Sequence, residues 1–235
     1  MTKMKTTFTC QEYGDSAVLI NIENDDYETR WLAAQSLGDA LRDRSNIGIV
    51  DLVASFQTVF ISFNALATSH EAVFQIVKEH LQADLVPRTP NHFKLPVVYG
   101  DTYGPHINQV AEICGISPAE VIDIHSNQDW VVRFIGSPVG APMMDGPKFP
   151  VSVPRLQTPV TRMEPGSVAV SGLQCVIYNA PSPGGWQVIG RTPVKLFDLE
   201  ASPNMPFQAG DRIRFKPINQ SDWESWNQLF HRVKI

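Results

Sequence analysis

The stretch from Arg162 to Asp198 constrains the fold more than any other part of the chain. Two short runs of β-forming residues, 167–170 and 176–178, flank a polar turn at Ser171-Gly172. Val- and Ile-rich runs this short, punctuated by Gly and Asn, read as strands joined by tight turns. A denser turn follows at Pro183-Gly184-Gly185-Trp186-Gln187, then Ile189-Gly190-Arg191-Thr192-Pro193. The paired glycines predict a bend that uses backbone at positive φ. Structural turns rarely need a Trp, a Gln and an Arg so close together. Loops held by a rigid scaffold are where binding groups concentrate.

The first part of the chain follows a different pattern. Residues 16–22 read as a strand, and Asn24, Asp25 and Asp26 offer helix caps. Tyr27, Trp31, Ala34, Leu37 and Leu41 recur at spacings of three and four, one face of a helix. A turn ends at Gly48, and Val50 to Val53 form a second strand. In residues 57–63, Val59, Ile61 and Phe63 alternate with Thr58, Phe60 and Ser62, which predicts a half-buried third strand. Thr68-x-x-Glu71 is a capping box ahead of Val73, Ile76, Val77 and Leu81. This β-α-β-β-α order, ended by the prolines at 87 and 90, predicts a split β-α-β sandwich. It gathers no catalytic residue types, so residues 1–90 are expected to be a structural α+β domain.

Residues 94–99 open a second domain, expected to span 91–220. Ile107, Val110, Ala111 and Cys114 lie on one helical face, which Gly115 stops. Ser117-x-x-Glu120, with Pro118 in the first turn, starts another helix carrying Val121, Ile124 and His125. A strand follows over 130–135. Beyond it the chain is β-rich with frequent Pro and Gly, and Ile213 and Phe215 alternate with Arg212, Arg214 and Lys216 in a last strand. Such a pattern favours a barrel or sandwich over a parallel sheet. In the segment 221–235, Ser221-x-x-Glu224 caps a stripe of Trp223, Trp226, Phe230 and Val233. That helix either folds back on its own body or docks a partner, since aromatic anchors concentrate at interface centres.

Composition excludes several classes. With 235 residues, 43% hydrophobic, the chain has enough for a packed core in one or two domains. The net charge of -5 gives no electrostatic reason to expect nucleic acid or an anionic membrane. Three cysteines, Cys10, Cys114 and Cys175, form no C-x-x-C pair, so neither a disulfide framework nor a metal site is expected. Cys175 would need a base partner to act as a nucleophile; packing is the other reading. No run is long enough for a signal peptide or a membrane span, so a soluble, cytoplasmic protein is expected.

Four polar side chains are the candidates for chemistry. Arg191 offers a planar fork for a carboxylate or phosphate, assisted by the backbone at Gly185 and Gly190. Gln174 and Gln187 can donate to a carbonyl oxygen and polarise an amide. His125 is placed to act as general acid or base; the alternative is a helix-end histidine satisfied by backbone carbonyls. No phosphate-loop lysine motif or G-x-G-x-x-G is present, so the chain alone is not expected to bind ATP in that manner.

Two blocks resemble a known family: Ser167-Val-Ala-Val-Ser-Gly-Leu-Gln174 through Tyr178, and Ser182-Pro-Gly-Gly-Trp-Gln-Val-Ile-Gly-Arg-Thr-Pro193 through Asp198. They resemble the KipI family, which includes the B-type subunit of 5-oxoprolinase and allophanate hydrolase subunit 1-like carboxyltransferase domains. The likeness runs from Gly14-Asp15-Ser16-Ala17 to Gly210-Asp211-Arg212. The family's loop F-x-G-F-x-P-G-F-x-Y-L keeps Phe134, Gly136 and Gly140 here, but has Ser137, Val139, Ala141 and Met143 at other key places. Its G-G-Q-T-G-I-Y has become Gly172-Leu173-Gln174-Cys175-Val176-Ile177-Tyr178. The resemblance implies a divergent member with a reshaped pocket. It implies an α+β N-terminal domain followed by an all-β, cyclophilin-like barrel. It further implies a subunit of an ATP-dependent 5-oxoprolinase-type amide hydrolase. Such a subunit works with a homologous carboxyltransferase-like subunit and a lactamase-like subunit, with ATP used through the complex. In that role His125 and Gln174 would be catalytic, and Gln187, Arg191 and Gly185 would bind substrate. The family also includes inhibitors of a sensor histidine kinase and allophanate or urea carboxyltransferase-like subunits, which stand as the alternatives.

Overall fold

Antiparallel pairing organises the first part of the chain in the computed structural model, which describes residues 6–42, 47–82, 88–136, 140–200 and 203–226. Strands β1 (Thr7–Glu12), β2 (Ala17–Glu23), β3 (Ile49–Ala54) and β4 (Thr58–Phe63) form a sheet in the order β1-β2-β4-β3. Helices α1 (Tyr27–Leu41) and α2 (His70–Gln82) follow β2 and β4. β4 lies antiparallel between β2 and β3, so β2-α1-β3 is a split β-α-β unit. β1 is an addition to the expected order. It pairs with β2 from Thr7↔Glu23 to Glu12↔Val18. Only Phe8 and Cys10 of β1 pack against the core, which is why its sequence looks like a polar leader.

Local chemistry sets the helix starts. The Asp26 carboxylate caps α1, accepting from the Thr29 N–H at 2.7 Å and the Thr29 hydroxyl at 2.7 Å. The Ser69 hydroxyl accepts from the Ala72 N–H at 3.3 Å, so α2 is capped one residue later than the Thr68 box implies. Val18, Ile20, Val59 and Ile61 from the sheet bury against Ala34, Leu37 and Leu41 of α1 and Val73 and Val77 of α2.

The chain divides into two compact units, Met1–Thr89 and Pro90–Ile235. In the second, β5 (His92–Tyr99) leads to α3 (Ile107–Cys114) and α4 (Pro118–Ser126). Then come β6 (Trp130–Gly136), β7 (Ala141–Asp145), β8 (Val160–Met163), β9 (Ser167–Ser171), β10 (Gln174–Ile177), β11 (Ser182–Gly184), β12 (Gln187–Arg191) and β13 (Arg212–Pro217). Seven of these close a barrel in the order β10-β7-β6-β13-β5-β12-β9, and the β9–β10 hairpin completes the ring. β5 and β13 run parallel; the other barrel pairs are antiparallel. β8 and β11 form a separate ribbon.

The barrel interior is filled by Leu95, Val97, Trp130, Val132, Met144, Val168, Val170, Ile177, Ile189, Ile213 and Phe215. α3 and α4 add Ile107, Val110 and Val121 to the same core. Gly115 ends α3 at φ 65, its N–H donating to the carbonyls of Ala111 and Glu112. The box at Ser117 and Glu120 starts α4 as expected.

Gly104 fixes the approach of α3 to β12. A Cβ there would stand 2.0 Å from the Ile189 carbonyl oxygen, which also accepts the Gly100 N–H at 3.1 Å. Backbone cannot yield as a side-chain tip can. Gly104→Ala is therefore expected to destabilise the second unit by about 3 kcal/mol, measured as a fall in the urea unfolding midpoint. An unchanged midpoint would show that the β12 backbone gives way freely.

The segment after β13 is a 3-10 turn, Gln220–Asp222, followed by the short helix α5 (Trp223–Trp226). Trp223 packs on Tyr103 with ring centroids 4.9 Å apart, and Trp226 lies against the Lys216 ammonium at 5.2 Å. This part of the aromatic stripe folds back on its own unit; Phe230 and Val233 lie outside the described residues. Among the described residues, no helix is long and apolar enough to cross a membrane.

Candidate functional site

Two cavities meet at Asn179, where the chain leaves β10. The larger, about 480 Å³, lies on the outer face of the barrel. Its floor is Ala141 and Met143 of β7 and Val176 of β10, and its walls are Tyr178, Trp186 and the run Pro181-Ser182-Pro183. These residues face outward because their strand neighbours Met144, Cys175 and Ile177 face in. The phenol of Tyr178 sits over Gly184, where a Cβ would stand 2.6 Å from its oxygen. Burial pushes the Tyr178 pKa up, against the opposing pull of the Arg155 charge and a hydrogen bond from the Trp186 backbone. Arg155 is the one charged residue lining this cavity among the described residues. Its charge acts on the Tyr178 phenol, and it forms no ion pair among the described residues.

The smaller cavity, about 280 Å³, holds Arg191. The Arg191 Nε donates to the Pro165 carbonyl at 2.8 Å, and its guanidinium carbon lies 5.5 Å from the centre of the Trp223 ring. Gly166, at φ 83, turns the chain beneath it; a Cβ there would stand 2.4 Å from the Thr192 carbonyl oxygen. Lys195 and Asn179 complete the polar lining. Lys195 lies 3.9 Å from the Asp198 carboxylate, and the Asn179 amide donates to the Gly140 carbonyl at 2.7 Å.

The four side chains singled out from the sequence do not share a cavity. Strand geometry explains why. Cys175 and Ile177 point inward, so Gln174 points out, donating to the Asp145 carboxylate at 3.0 Å. Asp145 also accepts from Arg133 Nε at 3.2 Å, so Gln174 belongs to a polar network at one end of β7. Gln187 pairs with inward-facing Val170 and is fully buried. It donates from Nε2 to the Pro154 carbonyl at 3.2 Å, and its Oε1 has no partner among the described residues. A bulge between Val188 and Gly190 then reverses the alternation, so Arg191 pairs with outward-facing Ser167 and leaves the interior. Gly185 lies between β11 and β12, where its carbonyl accepts the Leu156 N–H at 2.7 Å. Neither Gly184 nor Gly185 has positive φ, so the expected left-handed bend is absent. Gly184 is required by the close approach of Tyr178 and Met163 instead.

His125 sits on the inward face of α4, fully buried. Its Nδ1 is 2.7 Å from the Tyr99 hydroxyl and its Nε2 is 3.4 Å from the Cys175 sulfur. Its ring stacks on Phe215 with centroids 4.3 Å apart. Burial lowers its pKa to about 3 and pushes the Cys175 thiol and the Tyr99 phenol well up. All three are neutral near pH 7. Cys175 therefore has an imidazole neighbour but is no thiolate, and the His125 side chain is enclosed by the core. Its carbonyl accepts the Trp130 indole N–H, which gives a packing role in place of the expected acid–base one. Arg155 and Tyr178 are absent from the site expected from sequence. A signal exists, in the solitary cation at Pro154-Arg155-Leu156 and the aromatic that ends β10, but the residues that complete the cavity are far apart in sequence.

The second unit is thus a closed barrel whose outer face carries an aromatic-walled cavity beside the exposed Arg155. Residues 8–207 match the family model described as carboxyltransferase domain, subdomain C and D. The chain belongs to this family, that of KipI and the B-type subunit of 5-oxoprolinase. It is 28% identical to the B-type 5-oxoprolinase subunit of Bacillus subtilis over 237 residues, covering 96% of this chain and 99% of that protein. It is 34% identical to the corresponding 5-oxoprolinase subunit of Haemophilus influenzae over 160 residues, 68% of this chain and 72% of that one. Among solved structures, a conserved protein of Pyrococcus horikoshii is similar with a TM-score of 0.55 and 30% identity, over 92% of this chain and 100% of that chain.

Proposed function

We propose that the protein is a substrate-holding subunit of an ATP-dependent 5-oxoprolinase-type amide hydrolase, which opens 5-oxoproline to glutamate. The observation that carries this reading is the likeness to the B-type 5-oxoprolinase subunit along nearly the whole of both chains. The geometry supports a holding role. The larger cavity offers apolar walls, hydrogen-bonding groups and a cation, and among the described residues its lining contains no carboxylate or imidazole to move a proton. The proton-moving groups and the ATP site are therefore supplied by a homologous carboxyltransferase-like subunit and a lactamase-like subunit. The barrel is read as cyclophilin-like. Arg191 holds an anionic group at the smaller cavity.

The test is co-expression with both partner subunits and an assay of ATP-dependent glutamate release. The complex is expected to be active and the isolated chain inactive. Arg191→Ala in the complex is expected to lower kcat/KM roughly tenfold or more, for the loss of a charged hydrogen bond of about 1.5–3 kcal/mol. An active isolated chain would remove the partner requirement, and an inactive complex would remove the reaction.

A further inference from the structure

We propose that the larger cavity is a binding site for small amphipathic carboxylates, with Arg155 taking the carboxylate and Trp186, Tyr178, Met143 and Val176 enclosing an apolar or planar body. The biological meaning of this assignment rests on the substrate-holding role given above; its physical case does not. Among the described residues Arg155 is the only charged one in the lining, and it meets no carboxylate there. The local field therefore favours an anion and disfavours a cationic ligand. A single guanidinium matches one carboxylate in a bidentate pair. A polyphosphate would leave charge uncompensated against the mostly apolar floor.

The shape selects further. The cavity volume of about 480 Å³ falls within the ~300–1,000 Å³ typical of pockets for drug-sized ligands. A single lactam ring leaves much of the floor uncovered, so acids with a longer acyl or aromatic body bind more tightly than 5-oxoproline. The walls are already formed. Tyr178 is wedged over Gly184 and held by the Trp186 backbone, and Trp186 is itself buried against the barrel. A ligand entering here orders little that is not already ordered. Ser182 and Asn179 add polar groups to the wall.

Calorimetry on the full chain, with N-benzoylglycine, its uncharged carboxamide and 5-oxoproline as probes, tests the assignment. N-benzoylglycine is expected to bind most tightly, with the carboxamide weaker by about tenfold. That factor is at the low end for a charged hydrogen bond because Arg155 is exposed to solvent. Arg155→Gln is expected to lower affinity for the acid by the same factor and abolish the preference for acid over amide. Arg155→Lys is expected to restore part of it. Arg155 is a surface residue, so neither variant threatens the fold, and the acid-over-amide preference is a readout that general loosening would not move. Equal binding of acid and amide, or an unchanged preference in Arg155→Gln, overturns the proposal. If the complex opens 5-oxoproline while the chain binds none of the acids, this site is wrong and the hydrolase reading stands. If binding depends on Arg155 while the complex is inactive, the site stands and the hydrolase reading falls.

Discussion

Trp130→Ala is expected to destabilise the second unit by about 3–5 kcal/mol, the range for large aromatic deletions in a core. The indole is fully buried at the start of β6. Its N–H donates to the His125 carbonyl at 2.9 Å, and its ring lies 5.1 Å from the imidazole. The ring also presses flat on Gly146, where a Cβ would stand 2.5 Å from it. Backbone on one side and the closed ring of strands on the other leave little that can collapse into the void. The truncation therefore loses burial and a hydrogen bond, and keeps a cavity. A typical domain holds only about 5–15 kcal/mol in all, so much of the unit's stability is at stake. For a domain of this size the melting temperature should fall by roughly 2–4 °C per kcal/mol. Trp130→Phe, which keeps a ring but loses the donor, should fall in between. An alanine variant within about 1 kcal/mol of wild type would show that the barrel repacks.

The second large effect is acid lability centred on His125. Its pKa is lowered from 6.5 to about 3 by burial, so the folded state binds fewer protons than the unfolded chain between those values. Stability is therefore undiminished above about pH 6.5 and is lost as pH falls towards 3. The slope is about 1.4 kcal/mol per pH unit, and the whole loss is on the order of 4 kcal/mol. His106, whose Nδ1 accepts the Val188 N–H at 2.9 Å, is also lowered by burial and acts in the same direction. Urea unfolding at about pH 7.5, 6 and 5 measures the slope. His125→Asn is expected to be less stable at neutral pH, because Tyr99 and Cys175 lose their partner. It is also expected to show a slope shallower by about one proton. A variant with the wild-type slope would remove His125 as the cause.

The sequence reveals local features and hides those set by distant parts of the chain. α1, α3 and α4 are legible because apolar spacing, caps and a stop glycine all lie within each element; Asp26, Gly115 and the Ser117–Glu120 box all do what their positions imply. β1 is not, because an edge strand with only Phe8 and Cys10 against the core carries too weak an alternation. Closure of the barrel is hidden too, since nothing in residues 92–99 announces that residues 212–217 will lie parallel beside them. The candidate site scatters for a related reason. One extra residue at the Val188–Gly190 bulge sends Gln187 and Arg191 to opposite faces, and sequence proximity conceals this. The turn at Trp186 stands out in the sequence, but the cavity it serves is completed by Arg155 and Met143, from segments no local motif connects.

The place of β13 has a consequence for biosynthesis. It enters the ring between β5 and β6, with Arg212 beside His92 on one side and beside Val131 on the other. On the ribosome both neighbours emerge long before it does. Until Arg212–Pro217 arrives, the nascent sheet has two open edges, each a template for pairing with another chain. Closure across so long a loop sets a high contact order, so the final step is slow and waits on translation. Of the described strands, the last to be made is the one that leaves the barrel without an edge.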